Sequence, residues 1–169
     1  MRRIFALLAV SLTAALLITM LAVGVAGASS SHSANNAAEG HLFSASLAPV
    51  LGPKDPTIAG IVPGSFPWVL KSGHVNLSKG GLLEASVEGL LLGPGAPAKL
   101  VGTTGPIKQV FASLVCANGP VVSTNPVALS KKGDAHIHQR ISLPAQCVGP
   151  IVLIRASLDG GPWLAASGF

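Results

Sequence analysis

His136 and His138, separated only by Ile137, are the residues whose type and spacing come closest to carrying chemistry in this chain. On an extended strand, residues two apart share a face, with Cβ atoms roughly 6–7 Å apart. Two imidazoles at that spacing can turn toward one metal ion, and their nitrogens suit Zn²⁺ or Cu²⁺. A metal centre needs more than two ligands, and His41, His74, Glu84 and Glu88 are the residues that could supply them. The plainer reading comes first: the pair belongs to a solvated polar strand face, with no cofactor.

Other constellations are weaker. Glu84 and Glu88 lie four residues apart on a segment that alternates like a strand. That spacing is roughly 13 Å, too far to share a proton or to flank a glycosidic bond. They read as solvated charges. Serine, histidine and aspartate all occur, but no G-x-S-x-G elbow or H-E-x-x-H helix arranges them. Residues 93–106 are rich in Gly, Pro and Ala and read as a loop; no Gly-Lys-Ser/Thr cradle for phosphate is present. No residue is assigned a catalytic role, and the chain is expected not to be an enzyme. Cys116 and Cys147 are the only two cysteines, and no C-x-x-C occurs. In an exported chain they read as a disulfide closing a loop of about 30 residues.

The elements that would position these residues are strands. His74-Val75-Asn76-Leu77 alternates, Ser78-Lys79-Gly80-Gly81 turns the chain, and Leu83, Ala85 and Val87 alternate with Glu84, Ser86 and Glu88. This is an antiparallel hairpin with one wet face and Gly81 in a left-handed position. Val127-Ala128-Leu129, a turn, and the strand running on to Leu143 read as a second hairpin. There Ala135, Ile137, Ile141 and Leu143 face one way, and Asp134, His136, His138, Arg140 and Ser142 the other. Gln139 interrupts the apolar side. The string V-x-L-S-K-x-G occurs at Val75 and again at Val127. It marks either two similar hairpins in two sheets or one turn chemistry used twice. Val110–Cys116 and the nearly continuous apolar run Ile151–Ala156 read as further strands, the second buried on both faces. Asp159-Gly160 is a hairpin turn dipeptide, with Trp163–Phe169 as the last strand. Residues 42–50 can hold a short strand. The four prolines between Gly52 and Pro67 mark irregular surface structure or an edge, and Trp68 and Trp163 read as core.

The N-terminus carries an export signal. Met1-Arg2-Arg3 is a basic start, residues 4–25 are apolar, and Ala26-Gly27-Ala28 is a small-x-small cleavage site. Residues 1–28 are therefore a signal peptide with a helical core. The apolar stretch is near bilayer-spanning length, so the alternative is an uncleaved anchor with the body facing outward. Residues 29–40 are a flexible tether, and residues 41–169 are one domain. Removing Arg2 and Arg3 leaves nine basic and six acidic residues, about +3, scattered along the chain. With few aromatics, that excludes nucleic acid as a partner. An apolar fraction of 49% excludes a disordered chain.

From Trp68 to Phe169 the chain resembles a group of secreted bacterial proteins of unknown function, actinobacterial in type. The likeness rests on Gly73-His74-Val75-Asn76-Leu77, Val87-Glu88-Gly89-Leu90, Ala112-Ser113-Leu114-Val115-Cys116, Leu143-Pro144-Ala145-Gln146-Cys147 and Ala165-Ala166-Ser167-Gly168-Phe169. No activity comes with it. The expectation is an all-β, antiparallel β-sandwich, immunoglobulin-like or similar, with one disulfide. It is secreted or part of the cell envelope, non-enzymatic, and structural or binding in role. Membrane contact follows only if the leader is uncleaved. The alternatives are a metal-binding domain or small metalloenzyme using His136 and His138, and a carbohydrate-binding module. The latter needs exposed aromatic platforms, in a chain with no Tyr and two Trp.

Overall fold

Short alternating segments cannot each bury an apolar face alone, so they must be laid side by side. The computed structural model describes residues 40–158 and 161–168. The signal peptide, nearly all of the tether, the Asp159-Gly160 turn and Phe169 lie outside these residues.

The strands in chain order are β1 (His41–Pro49), β2 (Trp68–Val69), β3 (Ser72–Ser78), β4 (Leu82–Glu88), β5 (Leu91–Leu92), β6 (Gln109–Val115), β7 (Val122–Ser123), β8 (Val127–Ala128), β9 (Ala135–Arg140), β10 (Ile151–Ala156) and β11 (Trp163–Ser167). Nine of them form one curled sheet in the order β7-β6-β10-β11-β1-β3-β4-β9, with β8 also on β6. All its ladders are antiparallel. β2 and β5 make a separate two-stranded ribbon. The antiparallel all-β architecture agrees with the expectation from sequence.

β1 is the corner. Its residues up to Ser46 pair with β3, whereas Leu47, Ala48 and Pro49 pair with β11. A strand that changes neighbour partway along turns the sheet. Pro49, which has no N–H to donate, sits at the strand end, and Val50 N–H continues the ladder onto Leu164 O at 2.8 Å. The curl brings the far edges together. Gln139 on β9 accepts from Asn125 N–H at 2.9 Å and donates to Asn125 C=O at 3.2 Å. Asn125 lies between β7 and β8, so one side-chain amide does there what a backbone pair does within a ladder. That accounts for a glutamine on the otherwise apolar side of β9.

The core is aliphatic. Val75, Leu77, Leu83 and Ile137 join Val110, Leu114, Val152 and Ile154 in one buried cluster. β10 lies between β6 and β11, and consecutive Val152, Leu153 and Ile154 are all buried, so both its faces are covered, in keeping with its nearly unbroken apolar run. Trp68 and Trp163 are both core, at 4% and 2% exposed. The proline-rich segment is only partly surface: Val62 O accepts from Trp163 N–H and Trp163 O accepts from Gly64 N–H, so residues 62–64 run beside the start of β11.

The second hairpin needs correction. β8 pairs with β6 and β9 pairs with β4, so the two arms of the expected hairpin belong to different parts of the sheet. The segment is a crossover. The turn closes locally, with Ser130 N–H donating to Asp134 O and Asp134 N–H to Ser130 Oγ, but beyond it the arms part: Leu129 N–H donates to Lys108 O beside β6, and Gly133 O accepts from Leu90 N–H past β4. β9 also ends earlier than expected, at Arg140, with one further bond from Ile141 N–H to Gly81 O.

The repeated string proves to be one turn chemistry used twice. In the first copy Gly81 N–H donates to Ser78 O at 3.0 Å and Leu82 N–H to Ser78 Oγ at 3.0 Å. In the second, Gly133 N–H donates to Ser130 O at 2.9 Å and Asp134 N–H to Ser130 Oγ at 3.0 Å. Gly81 and Gly133 have φ of +80° and +82°. Because β4 and β9 are antiparallel, the two turns stand at opposite ends of one ladder. Gly81 O accepts from Ile141 at the end of β9, and Gly133 O from Leu90 just past β4. A Cβ at Gly81 would overlap the carbonyl oxygen of Ile141, and one at Gly133 the backbone of Leu90.

Gly81→Ala and Gly133→Ala are therefore each expected to lower stability by about 2–4 kcal/mol, combining left-handed strain with a lost docking hydrogen bond. Gly102→Ala is the control, with φ +76° and nothing near its Cβ direction. It should cost only about 1–2 kcal/mol. Urea unfolding of the three variants checks this, and equal losses would mean that docking contributes nothing.

Candidate functional site

Period-2 alternation assigns each side chain of the β1-β3-β4-β9 half to one face. Val75, Leu77, Leu83, Ala85, Val87 and Ile137 point inward and are buried. Their neighbours Ser44, Ser46, His74, Asn76, Glu84, Ser86, His136 and His138 occupy the outer face. Register places them in rows: His138 opposite Glu84, Glu84 opposite Asn76, Asn76 opposite Ser44. The next row is His136, Ser86, His74 and Ser46.

His138 and Glu84 are joined by a 2.9 Å contact between Nδ1 and Oε1, with the side chains 58% and 42% exposed. A carboxylate can only accept, so the imidazole must carry its hydrogen on Nδ1. In the neutral ring this leaves the Nε2 lone pair unprotonated. The His136 ring lies beside that of His138, with centroids 6.5 Å apart and planes at 22°. The His136 ring forms no hydrogen bond with any described residue.

The other candidate ligands are placed elsewhere. Glu88 faces Lys71 at 3.6 Å, a surface pair in keeping with the solvated reading. His41 pairs in register with Ser78, well along β1 from the His136 row. His74 is two strands from His136, about 10 Å at strand spacing. Its Nε2 is 3.3 Å from both Ser44 Oγ and Asn76 Oδ1. Serine, histidine and an amide thus come together, but both contacts use the same nitrogen. A proton relay needs one partner on each ring nitrogen. Among the described residues, no group of three or more His, Cys, Asp or Glu could hold one metal ion.

Glu84 differs from its reading as a merely solvated charge. Its tie to His138 follows from the β4–β9 pairing, which sequence reasoning replaced with a local hairpin. Two further features went unread. Arg155, inside the apolar run of β10, lies over the Phe111 ring at 4.9 Å and donates from Nε to Gly161 O at 2.6 Å. Burial lowers its pKa from the ordinary arginine value. A cleft of about 290 Å³ lies among Pro49, Leu51, Pro56 and Trp163. Its one carboxylate, Asp55, already accepts from Leu51 N–H at 2.6 Å, closing the turn that shapes the cleft.

Comparison with protein-family models, with curated proteins and with solved structures finds no match.

The His138 tautomer is directly observable. Imidazole ¹⁵N spectra should show His138 protonated on Nδ1 in the wild type, and the Nδ1–H form should fall in Glu84→Ala. Glu84→Gln should retain it, since an amide oxygen also accepts. The stability cost should stay within about 1 kcal/mol, as for other exposed pairs.

Proposed function

We propose that this chain is an exported, non-enzymatic β-domain with a structural or binding role at the cell envelope or outside the cell. The observation that carries the reading is the Cys116–Cys147 disulfide, with Cα atoms 5.0 Å apart. Such a bond persists in an oxidising compartment and is rare in a reducing one. It joins the end of β6 to the segment before β10, where Ala117 N–H also donates to Val148 O and Val148 N–H to Asn118 Oδ1. The basic and apolar leader supports the same reading. A retained leader makes the body an outward-facing, membrane-anchored domain.

We read the curled sheet as a sandwich of immunoglobulin-like type. Support comes from the core, where Leu77, Leu83 and Ile137 of one half join Val110, Leu114 and Val152 of the other in a single cluster. A non-enzymatic role is supported by the openness of the outer face: its polar groups lie on a sheet surface, where water is not excluded from a reacting centre. Carbohydrate binding finds less support, because both tryptophans are buried and present no stacking platform.

Protein isolated from its native host is expected to show no reactive thiol when denatured, and two after reduction. Two thiols before reduction would end the export reading. The variant Cys116→Ser/Cys147→Ser should lose about 3–4 kcal/mol on the loop-entropy estimate, measured by denaturant unfolding. Cell fractionation with protease treatment of intact cells should place the domain outside the cytoplasmic membrane.

A further inference from the structure

We propose that His136 and His138 together bind one divalent copper ion, with Glu84 as the positioning residue that holds His138 ready for it. This names a ligand for the binding role above and does not depend on export.

The two rings play unequal parts. His138 is held: its Nδ1–H is donated to Glu84 at 2.9 Å, which leaves Nε2 as the donor atom for a metal. A carboxylate behind a ligating imidazole fixes tautomer and ring orientation and raises ligand basicity. His136 is the arm that moves. Its ring is exposed, makes no hydrogen bond with a described residue, and stands across the ladder from the small Ser86. Two imidazoles bound side by side to one ion at ~2.0–2.1 Å have centroids about 4.5–5 Å apart. From 6.5 Å, the His136 ring must therefore close by about 1.5–2 Å, which side-chain rotation on an open strand face provides.

Both rings stand on the outer face of β9 and are exposed, so they are reached from solvent. With two protein donors, the remaining positions fall to water. That donor set favours copper. A tetragonal field of nitrogen and oxygen suits Cu²⁺, which also heads the divalent affinity series, whereas structural zinc takes four protein ligands. His74 is not part of the site, because its Nε2 already faces Ser44 and Asn76.

The test is calorimetric titration of the full chain with Cu²⁺ in a weakly competing buffer, paired with electron paramagnetic resonance. One ion per chain with two-nitrogen hyperfine coupling is expected, and Zn²⁺ should bind more weakly. His136→Ala and His138→Ala should each weaken binding at least about tenfold, as should His136→Gln, a milder variant. Glu84→Ala should weaken it about 10–100-fold, and Glu84→Gln less, in step with the Nδ1–H signal of His138. His74→Ala should bind as the wild type does. Copper binding that survives unchanged in His136→Ala/His138→Ala overturns the proposal, as does wild-type affinity in either single variant. Unchanged affinity in Glu84→Ala overturns the role of Glu84. The export reading fails separately, on free thiols in native material, with the copper isotherm unaffected.

Discussion

The division of β1 between two partners is the constraint on which the rest of the structure depends. Its first part pairs with β3 and its last three residues with β11, so one strand belongs to both halves of the sheet. The bend at Ser46 and Leu47 turns the aliphatic faces of the halves into a shared core. Without it, each half would be a ribbon with one greasy side in water. The free edges that such a turn leaves behind are hazards for mispairing. Here β9 is tied across to Asn125 through the Gln139 amide, which occupies a donor and an acceptor of the opposing edge at once.

A second constraint is local and repeated. A serine accepts from the residues three and four positions on, and a left-handed glycine completes the turn. Each turn then offers its glycine carbonyl to the strand beside it. The two copies stand at opposite ends of the β4–β9 ladder and pin its register from both directions. Since a slip of one residue would flip every side chain to the other face, this pinning keeps Glu84, His136 and His138 outward together. The outer-face chemistry thus rests on two turns that contain none of its residues.

The disulfide works at the other edge. It closes the approach to β10, where the chain leaves β9 and crosses to the central strand of the opposite half, through a segment with little regular structure of its own. Cross-linking there limits the freedom of the unfolded chain over the stretch least held by ladders. The body is thus held by ladders where it is sheet and by a covalent bond where regular structure is sparse.

Much of this was legible in the order of residues. Strand periodicity, the Gly81 turn, the pairing of the only two cysteines and the inward or outward direction of each residue in Ala135–Arg140 follow from local rules: side chains alternate, glycine alone accepts a left-handed turn cheaply, and two thiols in an oxidising space join. Partnership between strands was not legible. Val127–Ala128 and Ala135–Arg140 are adjacent in sequence and read as a hairpin, yet each pairs elsewhere, one with β6 and the other with β4, although the turn between them has the same chemistry as the Ser78–Gly81 turn that does join a hairpin. Glu84 and His138, separated by 54 positions, carry no mutual signal in sequence. Only the tertiary structure puts them in one row, since which strands lie side by side is settled by how the whole set of apolar faces can be buried at once.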